Sequence, residues 1–276
     1  MKIHWMADSV RYQGMTTGEL RETFLLESLF SLGEIRLAYI GVERAVVGMA
    51  APHGTSLSLP NDPILRANSF LERRELGALN IGGNGRIRVG EESYSVDKLD
   101  CLYIGRGSGE VTFESMNPED PAIFYLLSYP AHHSYPTALV RKEDAIATEL
   151  GSSKNANHRE VCKYIHAQGV QSCQLVMGVT HLQSGSIWNT MPPHTHTRRS
   201  EIYMYFNLEE SERVFHFMGP PEETRHLIIA SRQVVISPAW SIHAGAGSSA
   251  YSFCWGMGGE NQDYADMDAV AIKDLL

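Results

Sequence analysis

The residues with the most chemical content lie together in Met191-Pro192-Pro193-His194-Thr195-His196-Thr197-Arg198-Arg199-Ser200-Glu201. On an extended strand, residues two apart point to the same side, about 7 Å apart at Cα. The imidazoles of His194 and His196 can therefore close on one ion. Glu201 lies five positions beyond His196, a spacing that an unbroken strand would send to the opposite face. A turn over 197–200 restores the geometry, and Glu201, Tyr203 and Tyr205 then face inward together. A fourth donor comes from Ile236-Ser237-Pro238-Ala239-Trp240-Ser241-Ile242-His243, where a strand ends at Pro238, turns and presents His243. Three imidazoles and one carboxylate suit Zn²⁺, and also Fe²⁺, Mn²⁺, Co²⁺ or Ni²⁺. The set is too rich in nitrogen for Ca²⁺ or Mg²⁺. With 12 His in the chain, an isolated H-x-H carries little weight. The added Glu and the distant Pro-turn-His make the pattern specific, and one divalent ion per chain is expected.

Such donors need a rigid frame, and the sequence supplies strands. Runs rich in Val, Ile, Tyr and Phe, bounded by Gly, Asn, Asp and Pro, occupy 35–40, 45–49, 76–81, 85–89, 101–104, 110–115 and 123–128. A second series covers 174–180, 201–207, 213–218, 225–229, 233–236 and 252–256. Many short strands at this spacing imply a sandwich or barrel, not a doubly wound α/β sheet. The two series read as versions of one plan, divided as residues 1–140 and 141–276, with 131–157 as the linker and a short helix after Lys142. The first half lacks an H-x-H, and the adjacent His132 and His133 diverge on a strand, so that half is expected to hold no metal. Thr16-Thr17-Gly18-Glu19 reads as a capping segment for a helix over 17–30.

Composition narrows the class. The chain has 276 residues, 43% hydrophobic and 20% charged, with a net charge of −9. That suits a soluble globular protein with a substantial core and argues against a nucleic-acid partner. Four scattered cysteines (Cys101, Cys162, Cys173, Cys254) without a signal-peptide h-region point to reduced thiols in a cytosolic, cytoplasmic protein. No stretch approaches the ~18 apolar residues of a membrane span.

The H-x-H-x4-E and Pro-turn-His pair resembles the two-motif signature of the cupin superfamily. Within it, Phe70-Leu71-Glu72-Arg73-Arg74-Glu75-Leu76-Gly77, Trp188-Asn189-Thr190-Met191-Pro192, Pro220-Pro221-Glu222-Glu223-Thr224-Arg225-His226 and the tail Trp255-Gly256-Met257-Gly258-Gly259-Glu260-Asn261-Gln262 are similar to the 5-keto-4-deoxyuronate isomerase family, over nearly the whole chain. The resemblance implies a mainly β fold of tandem cupin-type barrels (a bicupin, jelly-roll sandwich) with a few short helices. It also implies a cytosolic zinc enzyme of pectin and uronate breakdown, assembled as a homohexamer. The implied reaction interconverts 5-dehydro-4-deoxy-D-glucuronate and 3-deoxy-D-glycero-2,5-hexodiulosonate. The implied ligands fall on His194, His196, Glu201 and His243. One departure is Thr197, where the family resembled carries an acidic residue.

That reaction moves a carbonyl between adjacent carbons, by proton transfer through an enediolate or by hydride shift. A metal-facing carboxylate, His226 or Glu260 is the expected proton carrier. The substrate carboxylate calls for a cation, with Arg225, Arg198 and Lys163 as candidates and Tyr203 lining the site. Trp188, Trp240 and Trp255 are assigned to the core. Two other readings of the same signature are a cupin that binds a small acid without turnover and a metal-dependent cupin dioxygenase.

Overall fold

A computed structural model describes residues 1–263 and 265–276. The chain divides into two compact units, one of residues 1–4, 28–145 and 164–176, the other of residues 5–27, 146–163 and 177–276. Each is built as a seven-stranded sheet with a four-stranded one.

In the first unit the larger sheet runs, neighbour by neighbour, through Lys2–His4, Ile35–Ile40, Val46–Ala50, Phe124–Pro130, Arg74–Asn80, Cys101–Ile104 and Ala138–Val140. The smaller runs through Leu57–Ser58, Val111–Ser115, Gly85–Val89 and Glu92–Val96. Residues from both sheets, including Leu76, Ala78, Ile87, Val96, Leu102, Phe113 and Phe124, form one buried cluster. Removing such side chains from water is the main stabilising term of a sandwich, roughly 1.5–3 kcal/mol for each large one.

The second unit repeats the order. Its larger sheet runs through Ile146–Leu150, Arg159–Ile165, Val176–Leu182, Ser252–Gly258, Ser200–Phe206, Val234–Ser237 and Leu25–Leu26. Its smaller sheet runs through Trp188–Asn189, Ile242–Gly247, Val214–Gly219 and Arg225–Ile229. Taken in chain order, nine strands correspond one to one between the units. The sequence expectation of a mainly β, tandem double-sheet chain with few short helices holds, and most expected strands fall within a residue or two of their positions.

Three local expectations change. The helix expected over 17–30 stops at Phe24, within Thr17–Phe24. Its capping box forms, with the Thr16 hydroxyl accepting from the Glu19 amide and the Glu19 carboxylate accepting from the Thr16 amide. Leu25 and Leu26 then leave the helix to pair with Val235 and Val234, because the sheet edge offers backbone partners as well as burial. The segment after Lys142 makes only a single 3-10 turn. The strand Arg159–Ile165 is one that the sequence reading did not include.

All four cysteines are buried, and none is in a disulfide. No helix among the described residues is long and apolar enough to cross a membrane.

Candidate metal centre

The central strand Ser200–Phe206 is buried throughout, hydrogen-bonded to Ser252–Gly258 on one side and Val234–Ser237 on the other. Glu201 is its second residue and is held in register by Ser237 and Met257. The short strand His194–Thr195 pairs with Asp268–Ala269 near the chain end, which fixes the first histidine. His243 follows a turn closed by the Ser241 amide on the Pro238 carbonyl, and pairs with Met218. The turn geometry expected from the sequence is present at both motifs.

These elements bring four donors to one point. His194 Nε2 lies 3.1 Å from His196 Nε2 and 3.0 Å from His243 Nε2. Glu201 Oε2 lies 3.0 Å from His196 Nε2 and 2.9 Å from His243 Nε2. All four donor atoms fall within 4.8 Å of one another. Donors held ~2.1 Å from a common ion, at right angles to one another, stand ~3.0 Å apart, so the spacing fits a divalent cation. His196, Glu201 and His243 are buried and His194 is half-buried. Burial, and then the neighbouring His243, push the His194 imidazole down to about 3, so it is neutral at ordinary pH with a lone pair to offer. Burial alone would raise the Glu201 carboxyl. The imidazoles of His243 and His196 outweigh it and hold the group well below the usual carboxylate range. Behind the ligands, His196 Nδ1 is 3.9 Å from the Asp266 carboxylate, beyond hydrogen-bond reach. The cluster is compatible with binding a metal ion.

His194, His196 and Glu201 line a cavity of about 450 Å³, of the size that holds a small organic ligand. Tyr203 lines it, with its hydroxyl 3.0 Å from Thr190 Oγ1 and its ring centroid 5.4 Å from that of His243. Burial keeps the phenol protonated far above neutral pH. Phe253, Trp255 and Met257 give the cavity an apolar wall. Gly178 makes room for that wall, since a Cβ there would fall 2.2 Å from the Trp255 ring.

Lys163 also lines the cavity, and so does Arg159 on the same face of the same strand. Sequence reasoning missed Arg159. It is half-buried, burial lowers its pKa, and its hydrogen bond goes to the Asn157 carbonyl at 2.9 Å. The signal was the i, i+2, i+4 set Arg159, Val161, Lys163 in a strand whose inward face is polar.

Four other expected site residues are not brought to this cavity. Arg225 donates to the carbonyls of Gln13 and Met15 and lies 5.4 Å over the Tyr12 ring, so it fastens the N-terminal helical segment. His226, on the opposite face of that strand, is exposed against Phe215. Glu260 is exposed with a left-handed backbone and reaches Arg198 at 3.5 Å. Arg198 pairs with Asp266 at 2.8 Å and donates to the Asp263 carbonyl. Parity accounts for His226, which is out of phase with the buried Leu227 and Ile229; Arg225 shares their face but is taken up by the N-terminal segment. Thr197 donates to the Asp268 carboxylate at 2.8 Å, so an acidic group does reach this position, from the chain's end. Of the tryptophans assigned to the core, Trp255 is buried, and Trp188 and Trp240 are half-buried.

The chain is similar over its length to known proteins. Residues 31–273 match the model of the KduI/IolB family. Curated proteins named 4-deoxy-L-threo-5-hexosulose-uronate ketol-isomerase are similar over the full length of both chains: 50% identical in Lachnoclostridium phytofermentans, 49% in Shouchella clausii and 44% in Caldicellulosiruptor bescii. Among solved structures, an IolB-like protein from Salmonella typhimurium LT2 is similar with a TM-score of 0.68 at 14% identity, covering 90% of this chain and 96% of that one. An oxalate decarboxylase from Lactobacillus farciminis has a TM-score of 0.60 at 10% identity, covering 90% and 88%. These two likenesses concern the fold alone. By the family match and by full-length relatives at half identity, the chain belongs to the KduI/IolB family.

Proposed function

We propose that this protein is a metal-dependent ketol-isomerase of uronate breakdown, converting 5-dehydro-4-deoxy-D-glucuronate to 3-deoxy-D-glycero-2,5-hexodiulosonate. The observation that carries the reading is a cavity lined by His194, His196 and Glu201 of the three-imidazole, one-carboxylate cluster together with two cations, Arg159 and Lys163, from another strand of the same sheet. The names of the full-length relatives support the same activity.

His194, His196, Glu201 and His243 hold the ion, with zinc, one per chain, as the metal. A bound divalent ion supplies Lewis-acid polarisation of a carbonyl. Every other task falls to the chain. Arg159 and Lys163 bind the substrate carboxylate, Arg159 by its planar fork. Tyr203, kept protonated, donates a hydrogen bond to a substrate oxygen. The proton moves between adjacent carbons at Glu201 Oε1, the oxygen that makes none of the contacts to the imidazoles. The apolar wall of Phe253, Trp255 and Met257 keeps bulk water from the enediolate. The setting is the cytoplasmic degradation of pectin-derived uronates, and the assembly is a homohexamer, which light scattering checks.

The test is incubation with the product of unsaturated-galacturonate cleavage, followed by NMR. Appearance of the 2,5-diketo isomer supports the reading. Binding without isomer formation would instead assign a carrier or sensor role.

A further inference from the structure

We propose that the N-terminal unit carries a second ligand site, a cavity that takes a compact dianion of the phosphate or dicarboxylate class through Arg44, Arg73 and Arg74. The cavity measures about 300 Å³, and the rest of its lining is Tyr39 with the apolar Ile64, Leu65, Ala67 and Pro130, with no acidic residue among them.

Arg74 anchors the site. It is only 6% exposed, a burial that guanidinium groups tolerate when an anion faces them. Its Nε donates to the Ser128 hydroxyl at 3.1 Å, and its Nη2 donates to the carbonyls of Ser128 and Arg44, each at 2.8 Å. These acceptors are all neutral, and Nη1 makes no hydrogen bond to any of the described residues. Burial lowers the group's pKa to about 10, which leaves it cationic at neutral pH. The acid next to it in sequence, Glu75, is engaged elsewhere: its carboxylate accepts from the Tyr103 hydroxyl and from the amides of Cys173, Gln174 and Leu175. Glu72 reaches Arg73 at 3.4 Å, not Arg74.

The duplicated unit shows what such a pair requires. Just ahead of Glu201, Arg198 and Arg199 share the carboxylate of Asp266. Just ahead of Glu75 the two arginines stand one residue closer, so Arg74 takes the place of Ser200; Arg73 reaches Glu72 at 3.4 Å, and no carboxylate among the described residues pairs with Arg74. The backbone also points to a built feature. Glu43 and Arg44 are consecutive non-glycine residues in the left-handed region, at φ 50° and 53°. Such conformations cost energy and persist where surrounding contacts enforce them. Here they set the Arg44 carbonyl on Arg74 and its side chain at the cavity.

The experiment titrates the full-length protein with inorganic phosphate, and separately with succinate, at constant ionic strength, by calorimetry and thermal denaturation. The wild type should bind one dianion per chain saturably and gain Tm. The arm that binds tighter identifies phosphate or dicarboxylate as the class. The Arg44→Ala/Arg73→Ala variant removes exposed side chains and keeps the core, so it should fold and bind weaker by about tenfold or more. Arg74→Lys should weaken binding as well, through loss of the fork. Three results would overturn the site: no saturable binding in either arm, unchanged binding in the double variant, which would place the anion in the metal cavity, or a Tm gain that chloride reproduces at equal ionic strength.

Discussion

Glu75 and Glu201 stand at the second position of equivalent central strands, and their charges are compensated by different means. Glu201 faces two imidazoles at 2.9 and 3.0 Å and joins a third in the donor cluster. Glu75 faces three backbone amides at 2.8–2.9 Å and a tyrosine hydroxyl at 2.9 Å. In one unit the carboxylate is left for an ion beside a cavity; in the other it is consumed by the fold.

The contrast predicts opposite phenotypes. Glu75→Gln leaves buried amides facing a neutral group that is partly a donor. It should cost about 2–4 kcal/mol of stability while zinc per chain stays unchanged. Glu201→Gln should lose metal and turnover with little loss of folding in the apo protein. Calorimetric denaturation with elemental analysis of the same samples separates the two.

A second prediction concerns the cations. Arg159→Met and Lys163→Met should each lower kcat/KM by about 10- to 100-fold, chiefly through KM, if they bind the carboxylate equally in ground and transition states. Metal content should not change. Arg225→Ala should do the reverse, with KM unchanged and Tm reduced, because Arg225 holds the carbonyls of Gln13 and Met15. Steady-state kinetics on the three variants checks this.

The strand carrying Arg159 and Lys163 also shows where the sequence is hard to read. Alternation normally marks the apolar positions as inward. Here the cavity face is Arg159, Val161 and Lys163, while Cys162 and Tyr164 are buried on the other side. A polar site inside a barrel inverts the usual sign, so Arg159 was missed although Lys163 was among the candidates. The His-x-His and Pro-turn-His motifs were legible because metal chemistry restricts residue type and turn together. Arg225 and Glu260 were misplaced because their partners, Tyr12 and Arg198, are distant in sequence. The pairing of His194–Thr195 with Asp268–Ala269 left no local pattern either.

Acid should destabilise the metal-free protein in a defined window. His194 and His216 are both held at about 3 by burial, His216 also accepting or donating at 2.7 Å to Tyr205. Unfolded histidine takes its proton near pH 6.5. Below that pH the unfolded chain binds more protons, so stability falls as pH drops from about 6.5 toward 3, by roughly 1.4 kcal/mol per unit for each group. Apo His216→Gln should lose less Tm than apo wild type over pH 7 to 5, whatever its starting stability. Equal slopes would remove His216 from this account.

The most direct measurement pairs turnover with metal content in the wild type and in His243→Ala, before and after chelation and zinc restoration. The account predicts one zinc per chain, isomer formation lost on chelation and regained with zinc in the wild type, and a His243→Ala enzyme that binds zinc weakly and stays at least tenfold slower even when refilled, because the ligand set tunes the ion. Full turnover by metal-free protein, or full turnover by zinc-loaded His243→Ala, would contradict it.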